Sequence, residues 1–486
     1  MYASSMTDTS ASATVTAAAA KESQRRWAAK PLRERLRVLR AARHALAMRA
    51  GDLAEAISPL LARSRSDTLL AEVFPLLDAC KFLEREASRI LKTRRLGVRG
   101  RPLWLSGVWA EVHREPVGHI LVIGPANFPL FVPGTQVLQA LAAGNAVTWK
   151  PGGGGGKIAE LVATILSDAG LPSGVLRVTD ESIEAGRDAV SSGADKVVFT
   201  GSPAVGRAIL RELAENQTPA VMELSGADAI VVLPSADLQR AAKAVAFGLR
   251  LNGSAVCMSP RRLFASAATL TVLRPILHAE LSKVPPVALS QTMGLLLREL
   301  LDDATREGAN VWGEFDPARQ SPLLVDHAEA TMAIARSDFF APVLSLIEVP
   351  STMSVPESHA QSPFGLTAAI FGNEVEARSL ASALRAGTVL INDVIAPTAD
   401  PRVAFGGRGA SGYGVTRGAE GLLEMTAIKM LLVQRGRSTW YMDPTRDADA
   451  PMFEAAIRVL HGRAWRERLT AVASVLKSVR KYLRGK

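Results

Sequence analysis

The chain has 486 residues, of which 48% are hydrophobic and 21% charged, a composition that is ordinary for a soluble globular protein of two or three domains. Its two cysteines, Cys80 and Cys257, lie far apart in sequence, which argues against a disulfide scaffold and favours a reducing, cytoplasmic compartment. The net charge is +10, but residues 435–486 alone hold 12 Lys and Arg against 5 Asp and Glu, so the charge does not mark the whole chain as a nucleic-acid binder.

The first part of the chain is predicted to be an arm followed by helices. Residues 1–20 are mostly Ala, Ser and Thr without Lys or Arg, which predicts a disordered arm and not a secretory signal. Apolar residues recur on one helix face in residues 21–91, and residues 104–113 are predicted to be extended. Residues 119–149 contain no Asp, Glu, Lys or Arg, but three prolines interrupt them, so we interpret them as a strand, a loop and a packed helix and not as a membrane span.

From residue 117 onward, short apolar strands alternate with helices, which predicts parallel sheets covered on both faces. Ligands of such sheets bind at the carboxyl ends of the strands, and Asn127, Lys150 and residues 200–202 each follow a predicted strand. The glycine run 152–156 lacks the residue order of a phosphate loop and is predicted to be a flexible surface loop. The predicted strands are residues 120–123, 146–149, 175–178, 196–199, 229–233, 366–371, 387–391 and 428–434.

Three short stretches carry side chains suited to covalent chemistry on a carbonyl carbon. Cys257 lies in GLRLNGSAVCMSPRR, Glu223 is the only carboxylate of MELSG, and Asn127 lies in PANFPL. A thiol can attack the carbon, a carboxamide N–H can hold the oxyanion, and a carboxylate can move protons. Each also has an ordinary alternative: a lone cysteine in an apolar run is usually a core residue, and Lys150 or Ser202 alone fits a surface lysine or a helix cap.

Seven motifs in order resemble those of the aldehyde dehydrogenase superfamily, over about residues 25–435. They are GPANFPL, NAVTWKP, VVFTGSPAVG, MELSG, the stretch ending in Cys257, SDFFAPV and FGGRGASGYG. The resemblance implies that Cys257 is the nucleophile, Glu223 the general base and Asn127 the oxyanion donor, with NAD or NADP as cofactor and no metal. It assigns to cofactor binding Pro125, Ala126, Lys150, Gly201, Ser202, Gly206, Leu224, Asp338 and Phe340.

The fold that the resemblance implies is α/β, with two doubly wound parallel-sheet domains and a small β oligomerisation arm. Residues 21–103 and 118–226 would form the dinucleotide-binding domain and residues 227–424 the catalytic domain. Residues 104–117 and 425–434 would form the arm of a homodimer or homotetramer. The implied activity is oxidation of a small-molecule aldehyde to a carboxylate through a cysteine thioester.

Several positions depart from the family pattern and keep other interpretations open. Ser254-Ala255 stands where the family has Gly-Gln, Ser225 and Ala341 replace glycines, and Asp338 replaces a glutamate. One alternative is a CoA-acylating aldehyde dehydrogenase, against which Glu223 argues because that chemistry needs no water-activating base. Another is a degenerate binding or scaffold subunit without catalysis.

Two features concern cofactor choice and the thiol. Gly153 stands where NAD-preferring relatives commonly have an acidic residue, so use of NADP beside NAD is expected. Because the thiolate is the reactive form, the site is expected to favour it. Arg261 and Arg262 are interpreted either as groups that help to do so or as surface charges or ion-pair partners.

The tail, residues 435–486, lies outside the resemblance. It is predicted to contain a polar linker at 443–451 and then a helix with a narrow apolar stripe and a basic remainder. The helix could dock on its own subunit or an oligomer partner, or it could contact an anionic membrane surface or an acidic partner. The stripe consists of Trp465, Leu469, Val472, Leu476, Val479 and Leu483.

Overall fold

The computed structural model describes residues 21–57, 61, 63–436, 440–442 and 444–484. The chain forms two compact units, one from Met1–Thr93 and His113–Lys429 and the other from Arg94–Val112 and Met430–Lys486. The predicted disordered arm, residues 1–20, lies outside the described residues. The finer division of the first unit into two domains stays a prediction.

The helices follow the amphipathic segments of the sequence. They are α1 (residues 21–29), α2 (Leu32–Met48), α3 (Ala50–Ala56), α4 (Arg65–Thr68), α5 (Phe74–Ile90), α6 (Phe131–Ala143), α7 (Gly156–Asp168), α8 (Ile183–Ser191), α9 (Pro203–Glu215), α10 (Leu238–Arg250), α11 (Ala267–Leu281), α12 (Gln291–Arg306), α13 (Ala333–Arg336), α14 (Val355–Ala360), α15 (Glu374–Ala381), α16 (Gly418–Glu424), α17 (Ala450–His461) and α18 (Trp465–Arg484).

The strands are short and mostly apolar. They are β1 (Arg94–Leu96), β2 (Val108–Pro116), β3 (His119–Ile123), β4 (Ala146–Lys150), β5 (Leu176–Val178), β6 (Lys196–Gly201), β7 (Ala220–Leu224), β8 (Asp228–Val232), β9 (Pro260–Ala265), β10 (Asn310–Trp312), β11 (Leu323–Ala328), β12 (Val343–Glu348), β13 (Phe364–Gly365), β14 (Thr367–Phe371), β15 (Thr388–Ile391), β16 (Arg408–Gly409), β17 (Gly412–Tyr413) and β18 (Thr426–Gln434).

The first large sheet has the strand order β17-β7-β6-β3-β4-β5. Strands β7 to β5 are parallel, and only the edge strand β17 is antiparallel. Strands β3, β6 and β7 are almost wholly buried, as expected for a parallel sheet covered on both faces. The carboxyl ends of β3, β4, β6 and β7 therefore bring the predicted site segments to one edge.

The second large sheet has the order β10-β11-β12-β9-β8-β14-β15 and is parallel except for β10. The chain passes from the first sheet to the second in only three residues, 225–227, which connect β7 to β8. Cys257 precedes the amino end of β9, and Asp338 precedes that of β12. The candidate residues of this sheet thus stand at amino ends and not at the carboxyl ends that the sequence rule favours.

The predicted α/β class with two parallel sheets is confirmed, whereas some boundaries differ. Helix α6 begins at Phe131 and not at residue 137, because the buried carboxylate of Glu72 accepts the backbone N–H groups of Leu130 and Phe131, at 2.9 and 2.8 Å. That cap comes from a residue far away in sequence. Helix α8 was not predicted, because its residues are largely polar or small and mostly partly exposed.

A third sheet has the order β1-β2-β18, and β18 keeps its residues largely exposed. The predicted tail helix is confirmed as α18, while α17 occupies residues that begin within the predicted linker. Trp465 and Leu469 of the predicted stripe are 65% and 60% exposed. Within the described part of the chain, no helix has the length and apolarity needed to cross a membrane.

Candidate active site

The cysteine and the carboxylate that the sequence singled out lie where the two large sheets meet. Cys257 is half-buried between a tight turn, Leu251–Ser254, and strand β9. Glu223 is buried near the carboxyl end of β7. The two are close enough that the charge of Glu223 raises the pKa of the Cys257 thiol. The structure therefore brings these two predicted residues together.

Burial dominates the electrostatics of both groups. It raises the pKa of Cys257, and the charges of Glu223 and Asp228 raise it further, while Arg417 opposes them. It also raises the pKa of Glu223, against the charge of Arg417 and a hydrogen bond from Thr416. The expectation of a site that favours the thiolate is not met by the protein alone. Arg417 is the cation whose charge lowers the pKa of both groups and so favours the thiolate and the carboxylate.

Polar side chains hold the Glu223 carboxylate in place. Its Oε2 accepts a hydrogen bond from Thr416 Oγ1 at 3.0 Å and a longer one from Gln136 Nε2 at 3.5 Å. Gln136 Nε2 also donates to Thr200 Oγ1 at 3.1 Å. Arg417 is buried beside them, stacked over Phe405 with its guanidinium carbon 4.2 Å from the ring centroid. Sequence reasoning missed these supporting residues, although Thr416 and Arg417 lie two and three residues after the late glycine motif.

Asn127 lies against the segment that leads to the cysteine. Its Nδ2 donates to the carbonyl oxygen of Ala255 at 2.9 Å, and Asn252 Nδ2 donates to the Asn127 carbonyl at 3.0 Å. A carboxamide nitrogen has two N–H groups, so one remains to meet an oxyanion. The structure thus places the predicted oxyanion donor in contact with Ala255, which is two residues before Cys257 in the sequence.

A buried ion pair contacts the residues that follow Asn127. Glu72 and Arg63 form a hydrogen-bonded ion pair, and Glu72 caps α6 directly after the loop. The Arg63 guanidinium lies 5.2 Å from the centroid of the Phe128 ring, next to Asn127. No local pattern marked either charged residue, since buried ion pairs are formed by tertiary contacts.

Lys150 and its neighbours form the predicted cofactor region. Lys150 ends β4, is 9% exposed, and donates from Nζ to the Glu181 carbonyl at 2.9 Å. A Cβ on Gly152 would lie 2.3 Å from the Pro125 carbonyl carbon, so the segment before Ala126 packs directly on the glycine run. Part of the run predicted to be a flexible loop is therefore close-packed, while Gly153 has open space around it.

The turn between β6 and α9 supplies the second part of this region. Ser202 is the N-cap of α9 and accepts the Val205 N–H at 3.4 Å. A Cβ on Gly206 would meet Leu224 at 2.9 Å, so that glycine lets α9 pack closely on β7. Gly201 is the last residue of β6. A cation at a strand end and the N-terminus of a thirteen-residue helix fit the phosphates of a dinucleotide.

A pocket opens beside Lys150. The Glu181 carboxylate lines it and accepts the N–H of Gly156, the first residue of α7, at 2.7 Å. The charges of Glu181 and Asp180 raise the pKa of Lys150, although burial outweighs them and the net shift is downward. A carboxylate thus lies in this region although residue 153 is a glycine. The pocket is lined by Glu55, Ala56, Gly154, Gly156, Lys157, Glu160, Val178, Thr179, Asp180 and Glu181.

The remaining predicted residues lie in the segment before β12. The half-buried carboxylate of Asp338 accepts a hydrogen bond from Ser225 Oγ, which links two of the departures from the family pattern. Phe340 is half-buried in the same segment. The interpretation of Arg261 and Arg262 as surface charges is wrong, because each is 1% exposed. Each instead donates to buried carbonyl groups of neighbouring segments.

Comparisons with known proteins find similar proteins over most of the chain. Residues 2–431 match the sequence profile of the Aldehyde dehydrogenase family. A 4,4'-diapolycopene aldehyde oxidase from Methylomonas sp is 30% identical over 423 residues, which are 85% of this chain and 79% of the relative. A vanillin dehydrogenase from Corynebacterium glutamicum is 31% identical, over 86% of this chain and 88% of the relative.

Solved structures resemble the chain over a similar extent. An NADP-dependent glyceraldehyde-3-phosphate dehydrogenase from Bacillus halodurans C-125, solved with NADP, has a TM-score of 0.79 and 27% identity, over 87% of this chain and 91% of that one. An aldehyde dehydrogenase from Mycobacterium tuberculosis, solved with NAD+, has a TM-score of 0.76 and 25% identity, over 85% and 88% of the two chains.

Proposed function

The chain belongs to the aldehyde dehydrogenase family and oxidises an aldehyde to a carboxylate with NAD or NADP, and we propose that Cys257, Glu223 and Asn127 carry out the chemistry. The observation that carries this proposal is their common location at the junction of the two sheets. Asn127 contacts the Cys257 segment at Ala255, and Glu223 acts electrostatically on the thiol. The same observation supports a catalytic protein over a degenerate scaffold.

In the proposed mechanism the Cys257 thiolate attacks the aldehyde carbon and forms a tetrahedral adduct. The free N–H of the Asn127 carboxamide and the backbone N–H of Cys257 hold the oxyanion. The hydride acceptor for this carbon would be supplied by bound NAD or NADP. Glu223 then deprotonates a water molecule that attacks the resulting thioester, and the carboxylate is released. Lys150, Ser202, Gly206 and Asp338 are the residues expected to hold the cofactor.

The substrate proposed is an aldehyde whose carbonyl group is conjugated to an aromatic ring or a polyene. Support comes from relatives named for vanillin, for benzaldehyde and for a diapolycopene aldehyde. One relative is instead named as a putative succinate-semialdehyde dehydrogenase, which supplies a polar competitor for comparison.

The test is an assay of reduced cofactor with benzaldehyde, vanillin and succinic semialdehyde, each with and without CoA. The proposal expects the highest kcat/KM with an aromatic aldehyde and no requirement for CoA. A strict dependence on CoA would establish the acylating alternative. A folded, cofactor-binding protein without turnover on any aldehyde would favour the scaffold alternative.

Cofactor preference is proposed to depend on Glu181. Its carboxylate accepts the N–H of Gly156 at the start of α7, and its charge acts on Lys150, so we expect it to repel the 2′-phosphate of NADP but not the ribose of NAD. Replacing Glu181→Gln keeps an oxygen that can accept the Gly156 N–H and removes only the charge. We therefore expect the ratio of the Kd for NADP to that for NAD to fall about fivefold, as for one charge repulsion at a solvated site.

Calorimetric titration with both cofactors measures that ratio. Glu184→Gln is the matched control, because Glu184 is exposed on the neighbouring helix α8 and does not line the pocket. An unchanged ratio in Glu181→Gln would show that this carboxylate does not face the 2′ position.

A homodimer or homotetramer is proposed to form through β18. This strand exposes a row of apolar residues that a single chain leaves in contact with solvent. Light scattering of wild-type protein and of a variant with charged residues in the strand tests the assignment, since only the variant should be monomeric. The exposed residues are Ile428, Met430, Leu431, Leu432 and Val433.

The tail is proposed to lie on an anionic membrane surface. Trp465, Leu469 and Leu476 form an exposed apolar row on α18, and basic residues flank it. Such a helix binds at the lipid interface by apolar burial and by attraction to negative headgroups. Deleting residues 435–486 should leave kcat per site unchanged, because no proposed catalytic residue lies there, and should abolish co-sedimentation with vesicles that contain phosphatidylglycerol.

Phosphatidylcholine vesicles are the control for charge, and Leu469→Gln is the control for the apolar row. Both are expected to reduce co-sedimentation. If the deletion instead changes only the oligomer size, the row is an intersubunit contact. Loss of activity in a folded, oligomeric deletion variant would place part of the active site in the tail.

A further inference from the structure

The turn before the cysteine has an unusual backbone. Asn252, Gly253 and Ser254 have φ values of 51°, 60° and 66°, three consecutive residues in the left-handed region. Only glycine adopts this region without steric cost, so Asn252 and Ser254 must be held there by their surroundings. Ser254 is the residue at which the family resemblance expects a glycine.

Arg261 supplies the contacts that hold Ser254. Its Nη2 donates to the Ser254 carbonyl at 2.7 Å, and its Nη1 donates to Ser254 Oγ at 2.8 Å. Ser254 Oγ also lies 3.2 Å from Ser259 Oγ, which donates to the Gly248 carbonyl at 2.7 Å. A planar guanidinium thus binds both the backbone and the side chain of one strained residue.

The same guanidinium reaches the segment before β12. Nη1 donates to the Ala341 carbonyl at 2.6 Å, and the guanidinium carbon lies 5.0 Å from the centroid of the Phe339 ring. Asp338, whose carboxylate accepts a hydrogen bond from Ser225, belongs to this segment. Four positions that depart from the family pattern, Ser225, Ser254, Asp338 and Ala341, therefore belong to one group of contacts in which Arg261 is central.

We propose that Arg261 is a positioning residue that holds Ser254 in its left-handed turn and thereby places Cys257 for attack. A glycine at residue 254 would adopt the left-handed conformation without strain, whereas Ser254 needs the hydrogen bonds from Arg261 to stay in it. It also fixes the distance between the Cys257 turn and the Asp338 segment. This inference rests on the proposed role of Cys257 as nucleophile.

The test compares Arg261→Met with Arg262→Met in a Cys80→Ala background. Arg262 is equally buried and donates to the Ala227 and His359 carbonyls, so its loss leaves similar unpaired groups without touching Ser254. The readouts are Tm, the rate of Cys257 alkylation by iodoacetamide followed by mass spectrometry, and kcat and KM. Both variants are expected to lower Tm.

Only Arg261→Met is expected to change the alkylation rate of folded protein and to lower kcat, each by about tenfold, as is usual for residues coupled through direct contacts. Adding Ser254→Gly should reduce the loss to about twofold, because glycine adopts φ near +66° without strain and removes the hydroxyl that needs a partner. Arg261→Lys keeps the positive charge but cannot donate to both the hydroxyl and the carbonyl of Ser254 as the guanidinium does. It replaces the methionine variant in the test if that variant does not fold.

Unchanged alkylation and kcat in folded Arg261 variants would overturn the proposal. Equal losses with and without Ser254→Gly would also overturn it, since Arg261 would then act independently of the turn. Failure of the proposed nucleophile is recognised separately, because Cys257→Ser would then remain active whatever the Arg261 variants show.

Discussion

Cys257→Ser should bring aldehyde oxidation below about one thousandth of the wild-type rate, because a serine hydroxyl in a buried site is a far weaker nucleophile than a thiolate. Fold and cofactor binding should be unaffected, since the substitution changes one atom at a half-buried position. Steady-state formation of reduced cofactor measures the first expectation. Circular dichroism and calorimetric cofactor titration measure the second.

The other cysteine provides the matched control. Cys80 is buried in the helical core under the first sheet, and burial raises its pKa to about 12, so its thiol is inert at neutral pH. Cys80→Ala should retain full activity. Substantial turnover in Cys257→Ser would remove Cys257 from the mechanism. Loss of turnover in folded Cys80→Ala would show that Cys80 is not the inert control expected here.

Glu223→Gln should separate the two halves of the reaction. Gln has no basic carboxylate, so the acyl-enzyme is expected to form but not to be hydrolysed. Rapid mixing should show a burst of reduced cofactor that approaches one equivalent per site and then stalls. Mass spectrometry of the stalled protein should find the acyl group on Cys257.

The pH dependence offers an independent check on Glu223. Because burial raises its pKa, the carboxylate is available only on the alkaline side of that pKa, and thioester hydrolysis should increase as pH rises. Arg417 lowers the pKa, so Arg417→Met should move the increase to higher pH. Glu420→Gln, at an exposed position on α16, should leave burst and pH profile unchanged. An unaltered steady-state rate in Glu223→Gln would show that another group activates water.

The sequence predicted the elements that depend on local pattern. Apolar strands such as β3 and β4 alternate with helices, and this alternation is a direct consequence of burial on both faces. Cys257, Glu223 and Asn127 were identified because each lies in a short motif of fixed residue order. Their distances to one another depend on the packing of two sheets, which no motif contains.

Other features of the site depend on contacts between distant residues. Glu72 caps a helix 58 residues further along the chain, and nothing near it in sequence indicates this. Arg261 and Arg262 look like a solvated basic pair, yet both are buried because their guanidinium groups satisfy carbonyls of other segments. A charged residue's partner is set by tertiary structure, so its burial cannot be inferred from its neighbours in the chain.

The three-residue connection between β7 and β8 lies at different distances from the parts of the site. Glu223 is two residues from this connection, whereas β5, which leads to Glu181, is the strand of the first sheet furthest from β7. For a rotation of one sheet against the other about residues 225–227, displacement grows with distance from that axis. Such a rotation would displace Glu223, the proposed general base, less than Glu181 relative to Cys257, the proposed nucleophile.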